Sequence, residues 1–132
     1  METEEDLIGF CTWLIGLFEN LPNSRCVVQG FLNSYDDSNG EHFVTPYGMH
    51  RIMLKTDECM KGLPECVSLL SHEAMHSGLY DIVQSLIASE ILSVDSADLL
   101  EERAASIAGE IVLKILKNYD IIKKNYDDIK SL

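Results

Sequence analysis

Two histidines four residues apart, His72 and His76, with Glu73 directly after the first, constrain this chain more than any other stretch. For both imidazoles to serve one cation the segment has to be helical, because only there do residues i and i+4 share a face one turn apart. The five residues spell HExxH. In a helix both rings can reach one Zn²⁺ at ~2.0 to 2.1 Å, and Glu73 projects beside the open coordination position, placed to take a proton from water. With 4 histidines in 132 residues, an accidental match is expected only about 0.01 times. The flanking residues agree with a helix. Pro64 suits a first helical turn, Glu65 suits the dipole there, and Val67, Leu70, Ala74 and Met75 continue an apolar face. Gly78 reads as an interruption, after which Ile82, Val83, Leu86, Ile87 and Ile91 mark a further helical stretch.

Two histidines leave such a site one protein ligand short. His42 and His50 stand upstream on strand-like segments, and no histidine follows His76, which excludes the HExxHxxGxxH class. A downstream carboxylate remains. Between Asp81 and Glu110, only acids on a separate helix folded back over His72 and His76 have suitable geometry, which favours Glu101 and Glu102. Ser93 to Ser96 (SVDS) forms a polar break, Asp95 or Ser96 can cap the next segment, and a long helix runs from about Ala97 to Asn118.

Elsewhere the pattern is mixed. Leu7, Phe10, Leu14 and Leu17 recur at helical spacing, with Trp13, Ile15 and Phe18 widening the stripe of an opening helix that ends at about Leu21. Arg25 to Leu32, Glu41 to Val44 and Tyr47 to Lys55 have strand composition around the turn formers Tyr35 to Gly40, and two or three antiparallel strands are expected. Near the end KNYD occurs twice, and Ile115, Tyr119, Ile122, Tyr126 and Ile129 step by heptad-like intervals. This stripe is expected to lie on the body of the domain, with a contact between two copies as the alternative.

One domain spanning 1–132 fits the length, and 46% hydrophobic residues supply a core. The formal net charge of -12 argues against direct binding to nucleic acid or to an anionic membrane. Cys11, Cys26, Cys59 and Cys66 contain no CxxC pair and read as small buried apolar residues. The opening METEEDLIGF is acidic where a secretory signal would be basic, and Glu19 ends its apolar stretch before the ~18 to 20 residues of a membrane span, so a cytoplasmic setting is expected.

From about Tyr47 to Leu116 the sequence resembles the gluzincin group of zinc metallopeptidases, whose third ligand is a glutamate on a later helix. In thermolysin-like members that glutamate is followed by apolar residues at +2, +5, +6 and +9 and often by glycine at +7. Counted from Glu102 these positions hold Ala104, Ile107, Ala108, Ile111 and Gly109; counted from Glu101 the fit is poorer. Glu102 also shares its face with Ala105, Ser106 and Gly109, small residues that let two helices approach closely. The chain is similar, too, to small zincin-like proteins of phages and mobile elements, the ImmA and IrrE group. It departs from them in having Arg103 and Ala104 where an Ala-Asn pair commonly follows the glutamate. It departs from thermolysin-like enzymes in having Ser106 where an aspartate commonly supports a ligand histidine.

The resemblance implies an α+β minimal zincin-like domain, mostly helical, with a small antiparallel sheet on the HExxH helix and a glutamate-bearing helix packed over it. Its metal would be Zn²⁺ on His72, His76 and Glu102, with Glu101 in reserve, and its general base Glu73. The expected activity is hydrolysis of a peptide bond in a protein or peptide substrate, weakly favouring a basic or neutral one. An edge strand within His42 to Lys55 would hold the substrate, and His50, Tyr47 and Tyr80 are candidate oxyanion donors. The alternative from another class is a non-catalytic interaction or regulatory module of the same fold, with structural zinc or none.

Overall fold

The computed structural model describes residues 4–17, 26–32 and 40–131. Helix α1 is Glu4–Ile15, strands β1, β2 and β3 are Cys26–Leu32, Gly40–Val44 and His50–Lys55, and a single turn, α2, is Thr56–Cys59. Helices α3 (Leu63–Ala88), α4 (Val94–Lys117) and α5 (Tyr119–Lys130) complete an α+β fold that is mostly helical.

The three strands form one sheet in the order β1-β3-β2. β2 pairs antiparallel with β3, as expected, with Gly40 opposite Leu54 and His42 opposite Ile52. β1 corrects the antiparallel expectation: it lies parallel to β3, Cys26 opposite His50. Composition marks a strand but carries no information on its direction, which depends on how the connections between the strands run. The hairpin joining β2 to β3 is tight. Thr45 accepts from Gly48 N at 2.9 Å and its hydroxyl from Met49 N at 3.1 Å, while Gly48 takes φ 80°, a left-handed conformation open to glycine. The third strand therefore begins at His50 rather than Tyr47.

The core forms where α1, β3, α2 and α3 meet. Leu7, Cys11 and Ile15 of α1, Ile52 and Leu54 of β3, Cys59, and Cys66 and Leu70 of α3 make one buried cluster. Alternation along β3 is regular, with His50, Ile52 and Leu54 buried. In α1 the buried step is four residues, and Trp13 and Leu17, expected on the apolar stripe, are exposed. Three of the four cysteines are buried and free, as expected; Cys11 Sγ lies 3.8 Å from Cys66 Sγ. The expected end of α1 at Leu21 lies outside the described residues.

Gly78 does not interrupt α3, which runs unbroken for 26 residues. An exposed mid-helix glycine costs only ~1 kcal/mol relative to alanine, too little to break a helix anchored on both sides of it. Pro64 stands in its first turn. α4 starts at Val94, earlier than expected, because Ser93 is the residue whose hydroxyl accepts from Ser96 N at 3.1 Å. α5 has no buried residue: Ile122, Tyr126 and Ile129 are exposed, so the terminal stripe does not lie on the body of the domain. No described helix is long and apolar enough to cross a membrane.

α4 packs along α3 through small residues. Ala97, Ala105 and Gly109 are buried, and Ser68 Oγ donates to the Gly109 carbonyl at 2.7 Å. A Cβ at position 109 would stand 3.1 Å from the Ser68 carbonyl oxygen and 3.4 Å from His72 Cβ. Because the nearest of these atoms is backbone, Gly109→Val is expected to destabilise the fold by ~1 to 3 kcal/mol despite valine's better helix propensity, measured as a lower midpoint in urea at unchanged slope.

Candidate metal centre

The tight α3–α4 contact sets two carboxylates of α4 against two imidazoles of α3. Glu102 spans both rings: its Oε1 lies 3.1 Å from His72 Nε2 and its Oε2 2.9 Å from His76 Nε2. The donor atoms of His72, His76 and Glu102 lie within 4.8 Å of one another, the one such group of metal-ligand type among the described residues. Bonds of ~2.0 to 2.1 Å in a tetrahedron would place ligands ~3.3 Å apart; the two Glu102–His separations lie near that value, and all three donors fall within 4.8 Å of one another. Two neutral nitrogens and a carboxylate are also a donor set that zinc accepts.

Glu101 takes a separate role. Its Oε1 accepts from His76 Nδ1 at 2.6 Å, and both side chains are largely shielded from solvent. A carboxylate can only accept, so the proton sits on Nδ1 and the Nε2 lone pair is turned toward Glu102. Glu101 thereby supplies the histidine support for which Ser106 is no substitute. The Ser106 hydroxyl points to Glu102 Oε1 instead, at 3.5 Å.

Glu73 is 4% exposed. Burial pushes its carboxyl up to about 7, helped by the negative charges of Glu102 and Glu41 and opposed by His76. Its closest ion-pair partner is His72 Nε2, 3.9 Å away. Burial lowers the basicity of His72, with Glu102 opposing.

A groove of about 640 Å³ opens on these residues, bounded by Gly40, Glu41 and His42 of β2 and by the facing sides of α3 and α4. His42 enters the site although the sequence marked it only as a strand residue. Its ring stacks 6.4 Å from that of His76, its Nε2 lies 2.9 Å from His50 Nδ1, and burial followed by the charges of His50 and His76 lowers its pKa to about 4. The available signal was strand alternation, which puts Gly40, His42 and Val44 on one inward side of β2.

The three candidate oxyanion donors do not line this groove. Tyr47 is 92% exposed in the β2–β3 turn. His50 is buried beneath His42, with Ser77 Oγ 3.0 Å from its Nδ1, and Tyr80 meets the rings of His42 and His50 edge-on. Of the two strands within His42 to Lys55, β2 lies at a sheet edge and β3 is central; β1 is the opposite edge.

The chain matches no protein-family model, no curated protein and no solved structure.

Two measurements check this assignment. Glu102→Ala is expected to abolish tight zinc binding, whereas Glu101→Ala should weaken it ~10- to 100-fold, as loss of a ligand's supporting partner does; a zinc titration monitored by competition with a chromophoric chelator distinguishes them. In metal-free protein, Glu73 has its pKa raised from 4.5 in the unfolded chain to about 7 in the folded one. Its contribution is therefore fully favourable below pH 4.5 and is lost as pH rises through 7. Glu73→Gln should match the wild type in stability near pH 4 and exceed it at pH 8 by on the order of 3 kcal/mol, read from denaturation at the two pH values.

Proposed function

We propose that this chain is a zinc-dependent metallopeptidase with a minimal zincin-like fold, gluzincin in its ligand set. The observation that carries the reading is the convergence of His72, His76 and Glu102 within 4.8 Å beside a buried Glu73. Zinc held by these three groups would supply Lewis acidity, acidifying water and polarising a carbonyl. Glu73 accepts the proton of the attacking water at a carboxylate oxygen and, after the peptide bond breaks, returns it to the departing amine. Glu101 keeps His76 in the tautomer that presents Nε2 to the ion.

β2 is the sheet edge next to α3, where an extended peptide can add as a strand; the groove beside it leads to Glu73 and the histidines. The substrate is a protein or peptide, and the net charge of -12 favours a neutral or basic one in a cytoplasmic setting.

Protein purified without chelators should carry about one zinc per chain by elemental analysis, and His72→Ala or His76→Ala should lose it. The zinc-loaded wild type should cleave members of a quenched fluorescent peptide library. Glu73→Gln should keep the metal and lose cleavage by at least ~100-fold, since an amide of the same shape cannot take the proton. Stoichiometric zinc together with wild-type cleavage by Glu73→Gln would remove the general-base role.

A further inference from the structure

Gly40 opens β2 directly over Glu73. A Cβ built on it would lie 2.9 Å from Glu73 Oε1, 3.0 Å from Cγ and 3.1 Å from Cδ, so the end of the Glu73 side chain occupies the space a side chain at position 40 would fill. The backbone does not demand glycine here. Among the described glycines, Gly48 is the one with positive φ, and Gly40 sits in a regular antiparallel pair with Leu54. Glycine in a strand costs ~0.5 to 1 kcal/mol relative to a residue with a side chain, and with no conformational reason for it the reason is space. Glu73 is 4% exposed and its Oε1 lies 3.9 Å from His72 Nε2, so a side chain at 40 moves the carboxyl out of a packed setting. Leu54, the partner of Gly40, is fully buried in the core and anchors the strand at that height.

We propose that Gly40 is a positioning residue: its missing side chain lets β2 close over Glu73 and hold the carboxyl beside the ligand histidines. The consequence for rate rests on the metallopeptidase reading above; the steric coupling between positions 40 and 73 does not. A side chain at 40 displaces the carboxyl, and a displacement on the order of 1 Å in a group that transfers a proton can cost ~10²-fold in rate while the ligands stay in place.

The test uses the full chain, with Gly40→Ala and Gly40→Val made alone and in a Glu73→Ala background. In zinc-loaded protein, each single variant should bind zinc as the wild type does and cleave the quenched fluorescent peptide library with kcat lowered ~10- to 100-fold, Val more than Ala, at a KM within about twofold. Thermal unfolding supplies the readout that needs no hydrolysis. Gly40→Val should lower Tm with Glu73 present and lower it by less than half as much with alanine at 73, where the clashing atoms are gone. Equal losses of Tm in the two backgrounds would overturn the proposal, as would wild-type kcat in Gly40→Val when the wild type is active. Non-additive Tm losses combined with no cleavage of any peptide by the zinc-loaded wild type would leave Gly40 as the group that places Glu73 and overturn the metallopeptidase reading instead.

Discussion

The contact between α3 and α4 at Ser68 and Gly109 is the constraint on which the site depends. A glycine lets the two backbones come close enough for a hydroxyl on one helix to bond a carbonyl on the other at 2.7 Å. At that separation a glutamate one and a half to two turns along α4 reaches the histidines of α3. Glu102 has only three rotatable bonds with which to span the gap, so a wider helix pair would leave its carboxylate in solvent and the two Nε2 atoms facing nothing.

That closeness concentrates charge. Glu73, Glu101 and Glu102 surround two imidazoles, and among the described residues Glu101 and Glu102 have their ion pairs with those histidines alone. Carboxylates gathered in this way repel one another and gain from a dication, whose field also opposes the burial that holds Glu73 near neutrality. The three glutamates are separated by surroundings rather than by type. Glu102 is the most exposed and faces both Nε2 atoms, Glu101 is shielded and faces Nδ1, and Glu73 is buried beneath β2. On the proposed reading, solvent access and direction separate ligand, support and proton carrier.

The sheet serves the site more than the core. β3 contributes Ile52 and Leu54 to the apolar cluster, while β2, at the edge, contributes Gly40 and His42 to the wall of the groove. The N-terminal helix and the cysteines anchor β3 and α3 to each other, which fixes the height of β2 above Glu73. α5 stands apart from this assembly, its apolar residues exposed and its Lys–Asp pairs spaced i to i+4 along its own surface.

The residues alone determined the features that depend on spacing within one element. HExxH required a helix there, because a helix brings residues four apart within reach of one ion whereas a strand sets them ~13 Å apart, and the pair Glu101 and Glu102 came from needing an acid on a second helix. The small residues Ala105 and Gly109 marked the face by which that helix could approach. The offsets favoured Glu102 over Glu101 as third ligand, and tertiary structure alone decided which nitrogen each one faces: one residue of rotation on α4 separates Nε2 from Nδ1 as the target, and offsets along a helix do not encode the angle at which it meets another. The same holds for β1, whose direction depends on a crossover, and for Gly40, His42 and Tyr47. Strand alternation could have paired Gly40 with His42, but that β2 lies over Glu73 while the hairpin turn leaves Tyr47 in solvent comes from where the β3 core anchors the sheet, a contact between residues far apart in the chain.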